Sequence, residues 1–328
     1  MTATKAPDEL FPITTFISEL PPNLIPQSSE NCPASGQLII VGDVHGMRKS
    51  LEALLDKVGF DKRKGDHLII AGDLVNKGPD GPGVIDLAIK LGASAVRGNH
   101  ENAVLNAAKE INTTRDSLSY SGGLSGSPAI PENPQSDLPE NIVRGLDIPD
   151  QGASATTDIS IRNGAITTHD TALKLSARHL HWLAALPLIL CVKLPYNLTS
   201  SLGDNLVVVH AGLVPRIPLE EQESHAIMHM RGLVRAVDNE DEFIPAEAPG
   251  EEGWIAEWDR WQDERTSNTT VIFGHDAKRR LQLGRYTIGL DSACLYGRRL
   301  SAVVIAAFDA KLKHHIIQVE CADTPVVV

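Results

Sequence analysis

Asp43, Asp73, His45, His100 and Asn99 sit in three short glycine-flanked segments: Gly42-Asp43-Val44-His45-Gly46, Gly72-Asp73-Leu74-Val75-Asn76-Lys77-Gly78 and Gly98-Asn99-His100-Glu101. Carboxylate, amide oxygen and imidazole suit divalent metal ions far better than they suit a packed apolar core. Asp43 and His45 lie two apart, so a short turn can aim both at one ion. Asp73, from the next segment, is placed to bridge two ions, and Asn99 can bind the second through its amide oxygen. His210 follows Val207-Val208-Val209, and His275 follows Val271-Ile272-Phe273-Gly274. Each is an apolar run ending in a histidine, and the two are the remaining ligands expected for the second ion. Two ions roughly 3.5–4 Å apart would hold a bridging hydroxide, lower its pKa and clamp a phosphate for in-line attack. His100, beside a ligand but not needed as one, can protonate the leaving oxygen.

Such groups need strand ends to carry them. Gln37-Leu38-Ile39-Ile40-Val41 and His67-Leu68-Ile69-Ile70-Ala71 read as buried parallel strands, and Ser94-Ala95-Val96-Arg97 as a shorter one. Between them, Leu51, Leu54, Leu55 and Val58 fall at helical spacing with Gly59 as a stop, and Val84 to Leu91 forms a second helix. The β-α-β-α-β order predicts a parallel sheet with right-handed crossovers, whose ligands gather at the carboxyl ends of its strands. A helix is expected from Leu173 to Leu186. Further strands are expected at Leu188–Val192, Leu206–Val209, Val271–Phe273, Thr287–Leu290, Ala302–Ile305 and Ile316–Val319. Residues 1–36 read as a flexible N-terminal arm and 37–328 as one catalytic domain. Turn formers crowd residues 117–158, which predicts a disordered insertion there.

Composition bounds the partners. With 328 residues, 42% hydrophobic and 22% charged, the chain is that of a soluble globular protein. A formal charge of −12 gives no global basic field, so neither stable nucleic-acid binding nor an anionic membrane surface is expected. A polyanionic or small phosphate-containing substrate needs a local positive pocket. Lys77 and Arg97 are the first candidates to supply it, and Arg48 and Arg231 weaker ones; Lys278-Arg279-Arg280, just beyond His275, could extend the positive surface for a long polyanion, with a solvated loop as the default reading. Cys32, Cys191, Cys294 and Cys321 form no C-x-x-C pair, which favours reduced thiols. No apolar run reaches membrane-span length and no signal peptide opens the chain, so a cytoplasmic location is expected. Trp254, Trp258 and Trp261 fall at helical spacing and read as core packing. His225 and His229 stand four apart, but no neighbour in sequence completes a site, which assigns them to a solvated face. His179, His181, His314 and His315 are assigned likewise to structure.

With these motifs in this order, the chain resembles the PPP-type, calcineurin-like metallophosphoesterases. Within them it is closer to the ApaH-like phosphatases and fungal endopolyphosphatases than to the protein phosphatases. The resemblance rests on Gly42–Gly46, Gly72–Pro79, Arg97–Glu101, His210-Ala211-Gly212, Gly274-His275 and Leu290-Asp291-Ser292-Ala293-Cys294. It implies an α/β fold, a two-sheet β-sandwich flanked by helices, holding two divalent metal ions (Mn, Zn or Fe/Zn). It carries the metal ligands to Asp43, His45, Asp73, Asn99, His210 and His275, and the proton donor to His100. Arg260 resembles a phosphate-binding arginine of the superfamily. Protein phosphatases have Asp-Arg where this chain has Asn76-Lys77. A carboxylate there would stabilise a protonated catalytic histidine, which neutral Asn76 does less well, and the Lys77 ammonium is a point charge in place of a bidentate fork. Lysine followed by Gly78-Pro79 favours hydrolysis of phosphoanhydride or phosphomonoester bonds in polyphosphate or nucleotide-type substrates. The rival readings are a Ser/Thr phosphoprotein phosphatase and an inactive scaffold. An RNA-cap or dinucleoside-polyphosphate hydrolase is a third, which exposed aromatic rings beside the metals would favour. A vacuolar location is the alternative the resemblance implies.

Overall fold

Along Gln37–Val41 every residue from Leu38 onward is fully buried, which a strand achieves only when both faces of its sheet are covered. Leu38 and Ile40 face a second sheet, and Ile39 and Val41 face helices. The structure, a computed structural model, describes residues 11–29, 32–121, 168–236, 242–248 and 253–326. One six-stranded sheet runs in the order β6 (Ser94–Ala95), β5 (His67–Ile70), β4 (Gln37–Val41), β15 (Arg299–Phe308), β16 (Lys311–Glu320), β8 (Thr199–Ser200). The other runs β1 (Ile17–Glu19), β7 (Ile189–Lys193), β9 (Asn205–Val208), β12 (Thr269–Phe273), β14 (Thr287–Gly289), β13 (Gln282–Leu283). Two short antiparallel pairs complete the strands among the described residues, β2 (Gln27–Ser29) with β3 (Cys32–Ser35) and β10 (Gly232–Arg235) with β11 (Phe243–Ala246).

Both large sheets are mixed. In the first, β4, β5 and β6 are parallel; in the second, β9, β12 and β14 are. Leu38, Ile40 and Ile69 from one meet Val208, Ile272 and Ile288 from the other in a shared apolar layer. The outer face of the first sheet is covered by α1 (Arg48–Val58), α2 (Gly81–Leu91) and α3 (Asn99–Ser121) through Leu51, Leu54, Val84 and Val104. The outer face of the second carries Ile227, Met228, Trp254 and Trp258. At about 1.5–3 kcal/mol for each fully buried Leu, Ile or Val, these layers anchor the strand ends firmly. This is the α/β two-sheet sandwich that the family resemblance implied. Trp254 and Trp258 are 3% and 2% exposed, and Trp254 meets Phe273 edge-on, so these rings are core.

Several elements differ from the sequence expectation. Within the segment read as an arm, β1 pairs in parallel with β7, and Leu20 and Ile25 are buried; a three-residue strand is too short to show a period of two. The helix expected over Leu173–Leu186 is divided into residues 168–174 and Ala177–Ala184. Between them, the Ser176 hydroxyl accepts from the His179 N–H at 3.3 Å and starts a new helix. α3 begins at the third motif itself and takes in residues 117–121 of the expected insertion. The remainder of that insertion, and the first ten residues of the arm, lie outside the described residues. Among the described residues, no helix is long and apolar enough to cross a membrane.

Candidate metal centre

The parallel strands of both sheets end at one place. β4 delivers Asp43, β5 delivers Asp73, β9 delivers His210 and β12 delivers His275, and all four side chains are buried. The backbones approach so closely that a Cβ on Gly274 would strike Asp43 Oδ1 and one on Gly98 would strike Asp73 Oδ1. His45, Asp73, Asn76, Lys77 and His275 all adopt positive φ, between 46° and 75°. Each such non-glycine residue costs about 1 kcal/mol or more, a strain that the packed sandwich sustains and that concentrates at functional sites.

Glu101 explains how the Asp73 loop is held. Its carboxylate accepts from the N–H groups of Asp73 (2.8 Å), Leu74 (2.8 Å), Val75 (3.2 Å) and Gly98 (2.9 Å). It is completely buried in the first turn of α3. Burial, and then the Asp73 charge, push it up to about 7, against the lowering effect of its N–H donors. The sequence reading assigned Glu101 no role. Its signal was a carboxylate in what proves to be the first turn of a helix, where N–H groups are free to be bound.

Three histidines are turned by backbone carbonyls. His210 Nδ1–H donates to Ala71 O at 2.9 Å and His275 Nε2–H donates to His229 O at 3.1 Å, while His45 Nδ1 lies 3.4 Å from Val75 O. Their other ring nitrogens converge on Asp73. His210 Nε2 lies 3.3 Å from Asp73 Oδ1, 2.9 Å from Asn99 Oδ1 and 3.1 Å from His275 Nδ1. His45 Nε2 lies 3.5 Å from Asp73 Oδ2 and 3.9 Å from Asp43 Oδ2. One N–H on His210 cannot serve three acceptors, whereas a cation can. Ligand atoms about 2.1 Å from one ion stand roughly 3.0–3.4 Å apart, close to the spacing around His210 Nε2. The donor set, with a backbone carbonyl behind each histidine ring, therefore fits divalent metal ions.

The electrostatics make the same demand. Burial raises Asp43 well above the usual carboxylate range, and Asp291 raises it further. Burial would raise Asp73 too, yet His210, His100 and His45 hold it well below that range. His210 is pushed up to about 10 by Asp73 in spite of burial, so a positive charge is favoured where these ligands meet. Burial lowers His45 to about 4 and His275 to about 2, which keeps both neutral and free to ligate.

His100 is set by Asn76. The Asn76 Oδ1 accepts from the Lys77 N–H (3.0 Å) and the Thr171 hydroxyl (3.2 Å), and its Nδ2 donates to the Thr168 hydroxyl (2.9 Å). Those bonds aim the amide nitrogen at His100 Nδ1, 2.9 Å away. His100 accepts there and carries its proton on Nε2, 3.9 Å from Asp73 Oδ2. Burial, partly offset by Asp73, lowers His100 to about 3, so the ring is neutral.

A cavity of about 340 Å³ opens over these groups, lined also by Lys77, Arg231, Lys278, Asp291 and Tyr296. Two of the expected substrate contacts are not there. Arg97 is 1% exposed and donates to the carbonyls of Phe11 (3.2 Å) and Pro12 (3.5 Å); extended backbone alternates its side chains, and Val96 occupies the inter-sheet core. Arg260 is on the helix Ile255–Asp263, paired with Glu257 at 2.7 Å, with its side chain 57% exposed on the face opposite buried Trp258. Arg231 and Lys278 take their place at the cavity. They come from loops after Met230 and after His275; the sequence ranks Arg231 only as a weaker candidate and leaves Lys278 in a run read by default as solvated.

The family model described as calcineurin-like phosphoesterase matches residues 36–305. The zinc-dependent endopolyphosphatase of Saccharomyces cerevisiae is 27% identical over 295 residues, covering 87% of this chain and 81% of that protein. A symmetrical bis(5'-nucleosyl)-tetraphosphatase of Delftia acidovorans is 23% identical over 337 residues, covering 87% of this chain and 97% of its own. A solved structure proposed to be a diadenosine tetraphosphatase matches with a TM-score of 0.60 and 29% identity, over 93% of this chain and 98% of the other.

Proposed function

Because this chain belongs to the calcineurin-like phosphoesterase family, we propose that it is a hydrolase of phosphoanhydride bonds in polyphosphate or nucleotide-type substrates, working with two divalent metal ions. Asp43, His45 and Asp73 would hold one ion, and Asp73, Asn99, His210 and His275 the other. Such a pair, when bound, supplies the charge that activates water and neutralises phosphate oxygens. The observation that carries this reading is the crowd of acceptors around His210 Nε2, which a single proton leaves unsatisfied.

Anhydride over ester follows from His100. A neutral imidazole that accepts from Asn76 can offer its Nε2–H to a leaving oxygen but is a weak acid. An alkoxide leaving from a Ser or Thr ester needs a full proton. A phosphate leaving from an anhydride is already a stable anion and needs only a hydrogen bond. Lys77, Arg231 and Lys278 supply the positive lining that a phosphate chain requires against a net charge of −12. The names of the yeast and Delftia relatives point to the same bond class. Tyr296, 39% exposed at the cavity, favours the dinucleoside-polyphosphate form as a second reading, since its ring could stack on a base.

The test is one assay panel with Mn²⁺, Zn²⁺ or Mg²⁺ on inorganic polyphosphate, diadenosine tetraphosphate and a phosphopeptide. Faster turnover of the two anhydrides than of the phosphopeptide is expected. Preference for the phosphopeptide would overturn the reading. Loss of diadenosine tetraphosphate turnover alone in Tyr296→Ala would select the dinucleoside form.

A further inference from the structure

His225, His229 and Glu247 form a second cluster outside the cavity, each offering one ligand atom within 4.8 Å of the others. Their convergence corrects the sequence expectation that nothing completes a site around the two histidines. His225 and His229 stand four apart in the helix Ser224–His229, a spacing that places both on one face. Their rings stack with centroids 4.2 Å apart and an interplanar angle of 15°. Glu247 follows β11, and its Oε1 lies 2.9 Å from His225 Nε2. The Arg231 N–H donates to Ala246 O at 2.8 Å, which fixes the chain just past the helix to the end of β11, next to Glu247.

We propose that His225, His229 and Glu247 form a third metal site, distinct from the catalytic pair, that takes a divalent transition ion such as Zn²⁺. Two imidazoles and one carboxylate leave a fourth position for water, a set that suits zinc and discriminates against the all-oxygen preference of Mg²⁺ or Ca²⁺. The side chains of His225 and Glu247 are 60% and 63% exposed. At that exposure a His–carboxylate pair contributes little to folding, so stability alone gives little reason for the arrangement. The position gives it a use. His229 O accepts from His275 Nε2–H at 3.1 Å, and the His229 and His275 rings are 6.4 Å apart. An ion on His229 would tie this helix to the strand after it and fix the carbonyl that orients His275. His225 and Glu247 are therefore metal ligands acting through a positioning residue, and neither touches the cavity.

The experiment loads metal-free protein with Zn²⁺ by equilibrium dialysis at micromolar free zinc and counts bound zinc by elemental analysis. His225→Ala and Glu247→Gln should each bind one equivalent fewer than wild type, with unchanged circular dichroism because both side chains are exposed. Equal occupancy in wild type and both variants overturns the site. The cavity residues are the same in every protein compared, so a failure of the dinuclear reading lowers all counts together and leaves the difference intact.

Discussion

The two sheets furnish the cavity in different ways. The first delivers Asp43, His45, Asp73, Asn99 and His100 within contiguous motifs, and local bonds hold them: Glu101 gathers four N–H groups around the Asp73 loop, and the His100 N–H donates to Asp73 Oδ1 at 3.1 Å. The second delivers single histidines at strand ends. The His210 ring is turned by Ala71 of the other sheet, and His275 by His229 on a covering helix. One half is therefore built from its own sequence neighbourhood, and the other takes shape only when the sheets dock.

Asp73 comes from the first half but faces both, 3.5 Å from His45 Nε2 and 3.3 Å from His210 Nε2, so Asp73→Asn should give the largest effect. A fall in kcat on the order of 10³-fold or more is expected on every phosphate substrate. Turnover within tenfold of wild type would remove Asp73 from its shared place. Glu101→Gln tests the first half alone, because a side-chain amide cannot accept all four N–H groups. Zinc titration of the metal-free protein should show roughly 10–100-fold weaker binding at the site of His45, with the site of His275 less affected. Equal weakening of both would break the division between the halves.

The arginines offer a reciprocal pair. Arg231→Ala should raise KM roughly tenfold, as loss of about 1.4 kcal/mol of phosphate binding, with Tm unchanged. Arg97→Ala should do the reverse, lowering Tm by several degrees while KM holds. A KM increase in Arg97→Ala would return that residue to the cavity. Asn76→Asp should have the smallest effect. A carboxylate opposite His100 Nδ1 would favour the protonated ring and raise the ratio of phosphomonoester to anhydride turnover a few-fold, roughly three to ten. An unchanged ratio would separate His100 from the leaving group.

What the sequence revealed follows the same division. Glycine-flanked motifs after apolar runs are local signals, so β4, β5 and the side chains at their ends could be read directly. His210 and His275 were readable because each ends an unbroken apolar strand. Side-chain direction was not. Arg97 adjoins a metal-ligand motif, yet alternation along extended chain turns it toward Phe11 and Pro12. Glu101 was in plain view, but its role appears only once α3 is seen to begin at Asn99. Glu247 lies 22 positions from His225, and only the pairing of β10 with β11 brings them together.

The His275 N–H donates to Asp43 at 2.9 Å, a bond that spans 232 positions of the chain. Metal ions seated between such distant segments would clasp the beginning of the domain to its later half. Any ion that binds the folded chain and not the unfolded one stabilises it by about 2.7 kcal/mol when present at 100 times its Kd. Chelation should then loosen the whole sandwich as well as silence it, and the melting temperature would report the occupancy of the clasp.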